Sequence, residues 1–417
     1  MKKVAFIVSL IFLLADPFYD VSADVKSLKG EIIKISRRAG IILLSSENGI
    51  EPVEYGESTR FINLKDDSSF IIDLPLKIKA DDSNLVPFAV EIEGPSPMAI
   101  NNGKEISLKE FLDVLRKGSK VYDMRLEIDY LSGHIPGALP ATELRNEKDI
   151  IIFYCSRSDC AESEIARKVA SDNKLKKLFF AGGIGSWKRA KKPLETSLKH
   201  LQTIQKEKVP YILIDVRNSD MTSKGFIPGA VSIPSDVIKY TSYRFPAYKK
   251  AVIIAYGKNM KDQSSMKAAE LIAGWGYKNV LHLYGGFEGY QKSGGDISTG
   301  EMKEEINYVI KRENWEVPKE RFKAYVESLP DNIIVLDVRE EEEVKQGKFR
   351  NSVNIPLDEL QYRLDEIDKT KSVITHCASG ARASIGYYIL KKAGFKASCL
   401  NSYVVFDDSG VYSISDN

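Results

Sequence analysis

The chain repeats one pattern three times, and this repeat limits the possible folds more than any other feature. Each copy has an apolar segment ending in Asp-x-Arg, then a polar turn, a glycine and a run of small residues ending in proline. The three apolar segments begin near Val121, Leu213 and Val335. A second apolar segment, a loop and a helical pattern follow in each copy. Strands alternating with helices predict βαβ units, in which helices flank a parallel sheet on both faces.

These linked motifs resemble the rhodanese family of sulfurtransferases. Residues 133–138 read Gly-His-Ile-Pro-Gly-Ala, residues 225–230 carry Phe in place of His, and residues 347–352 have diverged further. A Gly-Gly turn follows the last strand of the first two copies. The resemblance extends over roughly residues 105–410 and implies α/β domains, each with a central parallel sheet flanked by helices. We name the three predicted rhodanese-like domains copy 1 (101–198), copy 2 (199–300) and copy 3 (301–417).

Residues 24–100 lie outside the repeat. Their apolar residues alternate and are interrupted by Gly, Asn and Asp turns. This pattern predicts a small all-β domain, either a sheet or a partly closed barrel, to which we assign no chemistry.

The first 23 residues have the features of a signal peptide. Lys2 and Lys3 precede an apolar segment, and small residues end at Ala23. The apolar segment is too short to cross about 30 Å of hydrocarbon as a helix. We therefore expect cleavage after Ala23 and a periplasmic or secreted mature chain without a membrane span.

Composition and residue spacing limit the kinds of partner and cofactor that we expect. Lys and Arg (60) nearly balance Asp and Glu (58), so no large field of one sign is present and we expect no nucleic-acid partner. Four cysteines are too few for a disulfide framework in a chain of this length, which favours chemical roles for them. Neither metal-ligand spacing nor a phosphate-binding glycine motif is found, so we expect no metal and no cofactor.

Cys377 is the first candidate nucleophile. It follows an apolar run at 372–374 and precedes a helical pattern, and Arg382 ends its loop. Amides at the start of a helix stabilise a thiolate, and an arginine fork binds oxyanions. By resemblance, Cys377 takes sulfur from a small anionic donor such as thiosulfate or polysulfide, forms a persulfide and passes the sulfur to a thiol or protein acceptor. The residues predicted to bind the donor are Ala378, Ser379, Gly380, Ala381 and Arg382.

Cys155 is the second candidate nucleophile. Its loop is one residue longer and has Ala161 where the loop of copy 3 ends in arginine. Arg157 inside the loop is an alternative donor-binding residue, although the charge of Asp159 opposes an anion. Cys160 offers a redox partner, because a persulfide on Cys155 can be resolved as a Cys155–Cys160 disulfide.

Copy 2 contains no cysteine and has Gly257 at the nucleophile position. We predict that copy 2 is inactive and packs against a catalytic neighbour. The Asp-x-Arg pairs occur in all three copies, including this one, so we interpret them as internal ion pairs or loop braces.

The leading hypothesis is an exported sulfurtransferase in which copy 3 carries the reaction. Two alternatives remain. The longer Cys155 loop is compatible with a phosphatase or arsenate reductase on the same fold, although the missing arginine opposes this. The absence of the Gly-Gly turn from copy 3, where residues 400–406 read LNSYVVF, is compatible with a non-enzymatic sulfur carrier or scaffold.

Overall fold

The computed structural model describes residues 25–72, 74–96, 99–144, 150–156, 160 and 163–416. It divides into two compact units, the first ending at Glu93 and the second beginning at Gly94. The predicted signal peptide, residues 1–23, lies outside the described residues. Within the described ranges, no helix has the length and apolar character needed to cross a membrane.

The first unit is all-β, as predicted. Its strands are β1 (Val25–Ser36), β2 (Ile41–Ser46), β3 (Gly49–Glu54), β4 (Arg60–Ile62), β5 (Pro75–Asp81) and β6 (Phe88–Glu93). They pair in the order β3-β2-β1-β5-β6-β4, and β3 also pairs with β6, which closes the sheet. Buried side chains such as Ile32, Ile42 and Ile78 fill the interior. The alternation of apolar residues seen in the sequence therefore corresponds to a sheet with one buried and one exposed face.

The second unit contains the three copies. Copy 1 comprises β7 (Gly103–Glu105), α1 (Leu108–Arg116), β8 (Val121–Asp123), α2 (Glu127–Ser132), β9 (Leu139–Pro140), β10 (Ile151–Tyr154), α3 (Glu164–Ser171), β11 (Lys177–Phe180) and α4 (Gly183–Arg189). Copy 2 comprises β12 (Leu194–Thr196), α5 (Leu198–Lys206), β13 (Ile212–Asp215), α6 (Ser219–Thr222), β14 (Val231–Ser232), β15 (Val252–Tyr256), α7 (Ser264–Gly274), β16 (Asn279–Leu283) and α8 (Gly286–Lys292). Copy 3 comprises α9 (Lys319–Glu327), β17 (Ile333–Asp337), α10 (Glu341–Lys345), β18 (Val353–Asn354), β19 (Ser372–His376), α11 (Ala381–Lys392), β20 (Lys396–Cys399), β21 (Ser402–Phe406) and β22 (Tyr412–Asp416).

The three sheets share one topology. Copy 1 has the order β7-β11-β10-β8-β9 and copy 2 the order β12-β16-β15-β13-β14, while copy 3 has β18-β17-β19-β20. All pairings inside these three sheets are parallel. In copy 3 a single bridge between Glu316 and Cys399 stands where the other copies have their first strand. The predicted α/β class with central parallel sheets is confirmed.

The junction between copies 1 and 2 differs from the predicted boundary at residue 199. Strand β12 precedes that residue yet pairs with β16 in the sheet of copy 2. The two copies also share one hydrophobic core, in which Phe111 and Trp187 of copy 1 join Leu213 and Tyr256 of copy 2. Copy 2 therefore starts a few residues earlier than the sequence pattern indicated, and the neighbour against which it packs this core is copy 1.

Copy 3 ends in an antiparallel hairpin, β21–β22, at the place where the other copies have the Gly-Gly turn and a helix. Phe406 at the end of β21 packs edge-on against Phe349, with ring centroids 5.0 Å apart. The same ring lies over the guanidinium of Arg339 at 4.8 Å. The divergent end of copy 3 thus has a defined packing role.

Candidate active site

An Asp–Arg brace positions the loops of each copy. In copy 3, Arg339 Nη2 donates to Asp337 Oδ2 at 2.6 Å and to the carbonyl of Gly347 at 2.8 Å. Asp337 is fully buried and Arg339 is 4% exposed, so the pair is held out of water. The same contacts recur with the residue sets Asp123, Arg125 and Gly133, and Asp215, Arg217 and Gly225. The predicted bracing role is confirmed, since the arginine ties the end of one strand to the turn eight residues later.

Cys377 is buried and lies directly after β19, and residues 378–380 separate it from the start of α11. The backbone N–H of Gly380 donates to its Sγ at 3.1 Å, and the N–H of Ala383 donates at 3.4 Å. Gly380 has a φ of 79°, a left-handed conformation that glycine adopts without strain and that turns the loop into the helix. Two amides at the start of α11 therefore converge on the sulfur, as predicted, and this is the geometry of an anion-binding nest.

The remaining small residues of the loop form its partly buried surface. Ala378, Ser379 and Ala381 are each partly exposed. The carbonyl of Ala378 accepts the N–H of Val404 at 3.0 Å, which anchors the loop to β21. The hairpin that replaces the Gly-Gly turn therefore supports the cysteine loop from one side.

Arg382 differs from the expectation that its fork points toward a bound anion. Its Nη1 and Nη2 each donate to Glu343 at 2.6 Å, and Nη1 also lies 3.4 Å from Glu340. Burial acts to lower the pKa of Arg382, but the bond with Glu343 and the charge of Cys377 raise it above its ordinary value. The reason for the difference is the acidic start of α10, which faces the start of α11. An oxyanion would have to compete with Glu343 for this guanidinium.

His376 ends β19 and is completely buried beside Asp337. Its Nε2 lies 3.6 Å from Asp337 Oδ2, and neither ring nitrogen has a hydrogen-bond partner in the described part of the chain. Burial lowers the pKa of His376 to about 4, with Asp337 opposing and Arg339 adding to this effect. The ring is therefore neutral at pH 7 and packs edge-on against Phe349 at 4.9 Å.

Copies 1 and 2 carry tyrosine where copy 3 carries His376. The hydroxyl of Tyr154 donates to Asp123 at 2.9 Å and accepts the N–H of Ile135 at 2.9 Å. Tyr256 does the same with Asp215 at 2.6 Å and with Ile227 at 3.1 Å. Because imidazole is shorter than phenol, His376 does not complete this bridge.

The two cysteines of copy 1 form a disulfide, Cys155–Cys160, with Cα atoms 5.4 Å apart. Both cysteines are completely buried. The carbonyl of Cys155 accepts the N–H of Ile184 at the start of α4 at 3.2 Å. The other residues discussed for this loop, Arg157, Asp159 and Ala161, lie outside the described residues. The disulfide makes Cys160 the bonded partner of Cys155, so Cys155 would have to be reduced before it could act as a nucleophile.

The corresponding loop of copy 2 is occupied by its own carboxylate. Asp262 accepts the N–H of Lys258 at 2.7 Å and that of Ser264 at 2.9 Å. Burial acts to raise the pKa of Asp262, but these backbone bonds lower it below its ordinary value. A side-chain carbon added at Gly257 would collide with the Asp262 carboxylate. Sequence reasoning missed Asp262, and the available signal was an acidic residue in a loop built to bind an anion.

Cys399 is buried at the end of β20, with its Sγ 3.9 Å from the hydroxyl of Ser384. Within the described residues, no group of three or more His, Cys, Asp or Glu side chains is arranged to hold a metal ion.

Comparison with known proteins places this geometry in a family. The model of the rhodanese-like domain matches residues 197–293 and 320–403. The Bacillus subtilis protein YrkF, described as a sulfur carrier, is 36% identical over 81 residues, covering 19% of this chain and 43% of YrkF. A sulfurtransferase of Allochromatium vinosum is 28% identical over 65 residues, covering 16% of this chain and 61% of that protein.

The chain thus spans about half the length of the curated relatives it matches, from 43% to 64%. Among solved structures, a thiosulfate sulfurtransferase from Pseudomonas aeruginosa is 14% identical with a TM-score of 0.24, covering 75% of this chain and 68% of that one. The two matched segments coincide with the second and third repeats of the sheet topology. Copies 2 and 3, which the family model matches, are therefore rhodanese-like domains.

Proposed function

We propose that the chain is a sulfurtransferase in which Cys377 moves sulfane sulfur from thiosulfate or a polysulfide to a thiophilic acceptor. One observation carries the proposal. Of the three equivalent loops, that of Cys377 combines a thiol with backbone amides directed at its sulfur. Copy 1 has a disulfide at this place, and copy 2 has a carboxylate.

The reaction follows from the thiolate. Cys377 Sγ attacks the outer sulfur of thiosulfate, the sulfur–sulfur bond of the donor breaks, and sulfite leaves with the bonding electrons. The terminal sulfur of the resulting persulfide is anionic, and the amides of Gly380 and Ala383 are placed to stabilise negative charge in the loop. An acceptor thiolate then attacks this terminal sulfur, and Cys377 leaves as a thiolate.

The test measures sulfur on the protein and turnover separately. After thiosulfate treatment without acceptor, we expect one added sulfur atom on Cys377, detected by intact-mass and peptide analysis. With cyanide as acceptor, Cys377→Ser should remove most of the turnover, and Cys155→Ser should remove little. Cys399→Ser is the matched control, because this thiol is also buried but lies at the end of β20. Full turnover by Cys377→Ser, with the persulfide on Cys155, would contradict the proposal.

A sulfur carrier is the second candidate. The complete burial of Cys377 favours it, because a loaded sulfur would be protected from solvent. The likeness to YrkF, described as a sulfur carrier, points the same way. A carrier would accept one sulfur per chain and release it once to a protein acceptor, without multiple turnovers on small molecules. The same mass analysis, followed over repeated donor additions, distinguishes a carrier from an enzyme.

Hydrolysis of p-nitrophenyl phosphate tests the phosphatase alternative.

We also propose that the chain is exported and loses residues 1–23. Support comes from Lys2 and Lys3 before the apolar segment and from the disulfide of copy 1, since disulfides persist in oxidising compartments. N-terminal sequencing of the protein from its native host should begin at or near Asp24. An intact Met1 in the cytosolic fraction would refute the export.

A further inference from the structure

A cavity of about 190 Å³ lies between copies 1 and 2, and its charged lining is basic. Lys188 and Lys192 reach it from α4 and the segment after it, and Lys278 reaches it from the residue before β16. Among the described residues that line the cavity, none is acidic. Burial lowers the pKa of His200, which also lines the cavity, so that ring adds little charge at pH 7. Three lysines therefore line a small space that has no carboxylate among its described lining residues.

Arg125 is a buried, charged residue that also lines the cavity. Its side chain is 8% exposed, and Asp123 and the Gly133 carbonyl accept bonds from its Nε and Nη2. Within the described residues, its Nη1 makes no hydrogen bond. The two N–H donors of Nη1 thus make no hydrogen bond within the described residues, and Arg125 is one of the residues that line the cavity.

The other two copies show that this exposure is particular to copy 1. In copy 2, Phe287 covers the guanidinium of Arg217 at 3.9 Å, and in copy 3 Phe406 covers that of Arg339 at 4.8 Å. The residue after the Gly-Gly turn of copy 1 is Ile184, in the position of Phe287, and it lines the cavity. Among the described aromatic rings, none covers Arg125 in this way. The brace is the same in the three copies, but in copy 1 the aromatic cover is replaced by a cavity with lysines.

We propose that this cavity binds a small, doubly charged tetrahedral oxyanion, the chemistry shared by sulfate, phosphate and thiosulfate. A dianion would pair with the charges of Lys192 and Lys278 and accept hydrogen bonds from Nη1 of Arg125. Its bonds would join Lys188 and Lys192 of copy 1 to Lys278 of copy 2. The site is separate from the Cys377 loop and does not depend on the function proposed for that loop.

The test measures binding to the full mature chain without using activity. Isothermal titration with sulfate, phosphate and thiosulfate should show one saturable site per chain. Saturating sulfate should also raise the melting temperature by more than potassium chloride does at the same ionic strength, because the ion binds only the folded chain. The fluorescence of buried Trp187 should change on binding, since Lys192 Nζ lies 5.4 Å from its ring centre.

The variant Lys192→Gln/Lys278→Gln should lower sulfate affinity at least about tenfold, because two charges next to the ion are lost. The control Lys77→Gln/Lys345→Gln removes the same charge at side chains that are 64% and 67% exposed outside the cavity, and it should bind like the unaltered chain. Cys377→Ser should also bind normally. Saturable binding supports the site whatever the order of affinity among the three ions, and a preference for thiosulfate would identify a sulfur donor as its natural ion.

The proposal is overturned if no saturable site is found or if chloride stabilises as well as sulfate. It is also overturned if the double variant and its control bind equally. Circular dichroism and the melting temperature without added anion show whether the double variant is folded. If it is not, Lys278→Gln alone provides the comparison.

Discussion

Glu343 is the residue that most alters the chemistry expected at the Cys377 loop. It engages both Nη atoms of Arg382, so the positive charge at the loop mouth is balanced by a carboxylate. A dianionic donor therefore encounters the loop amides and an arginine whose positive charge is already paired with a carboxylate. The loop sequence alone does not reveal the opposing helix, whose residues lie about forty positions earlier in the chain.

We predict that Glu343→Gln raises kcat/KM for thiosulfate about fivefold, since removing one negative charge near the bound dianion is worth about 1 kcal/mol. Steady-state kinetics at low ionic strength provide the measurement. Glu342→Gln is the matched control, because this neighbour on α10 is 72% exposed and pairs with Lys345. An equal rise in both variants, or a fall in Glu343→Gln, would show that Arg382 does not help to bind the donor.

His376 is a second residue of this site, and its effect on the pH dependence of stability can be measured. Its folded-state pKa of about 4 lies below its ordinary value of 6.5, so the folded chain resists its protonation. The unfolded chain takes up the proton below about pH 6.5, and stability is therefore lost as the pH falls from there toward 4. The loss should reach about 2 kcal/mol at pH 5.

We predict that His376→Tyr and His376→Phe both remove this part of the pH dependence. Urea unfolding at pH 7 and pH 5 provides the comparison. Only the tyrosine can form the bridge to Asp337 that Tyr154 and Tyr256 form in the other copies, so it should be the more stable variant at both pH values. A stability difference from the unaltered chain that stays constant between pH 7 and pH 5 would rule out titration of His376 as the cause.

At the scale of elements, the three copies share the same strand-to-helix loop, but each loop holds a different chemical group. The loop after β19 holds a thiol, the loop after β15 holds the Asp262 carboxylate, and the loop after β10 holds the Cys155–Cys160 disulfide. In the first two, backbone amides point at the group inside. Restoring a cysteine to copy 2 therefore does not by itself restore a site.

We predict that Gly257→Cys in a Cys377→Ser background gains no persulfide and destabilises the chain by about 1 to 3 kcal/mol, because the new side chain meets Asp262. Adding Asp262→Ala should recover much of that stability. Urea unfolding and intact mass after thiosulfate treatment give the two readouts. Gly274→Cys is the control, since it adds a thiol where open space surrounds the glycine. A persulfide on the thiol introduced by Gly257→Cys, without the change at Asp262, would contradict the argument.

At the scale of the whole molecule, the repeat predicted the sheets because strand and helix patterns are local in sequence. The cysteine loop of copy 3 could be predicted for the same reason, since Cys377, Gly380 and Ala383 are close in the chain. The shared core of copies 1 and 2 could not, because it depends on contacts such as Phe111 and Trp187 with residues of another copy. The pairing of Arg382 with Glu343 has the same long-range origin.

Glu195 makes hydrogen bonds to both of the copies that share this core. Its carboxylate accepts a bond from Nε2 of His134 in copy 1 at 3.0 Å and from Nε2 of His282 in copy 2 at 2.9 Å. Burial acts to raise the pKa of Glu195, but the bonds from His134 and His282 lower it to about 2. Because this pKa lies below the ordinary 4.5, the stabilisation is present at neutral pH and is lost as the pH falls from about 4.5 toward 2.

We predict that Glu195→Gln lowers the free energy of unfolding by about 1 to 3 kcal/mol at pH 7, since two hydrogen bonds to a buried carboxylate are weakened, one from each copy. The difference from the unaltered chain should shrink at pH 3. Hydrogen exchange should rise both around His134 and in β16, because one carboxylate serves the two copies. Glu164→Gln, at a side chain that is 72% exposed, should change stability by less than about 0.5 kcal/mol. If exchange rises in one copy alone, Glu195 does not couple copies 1 and 2, and their association rests on the apolar core.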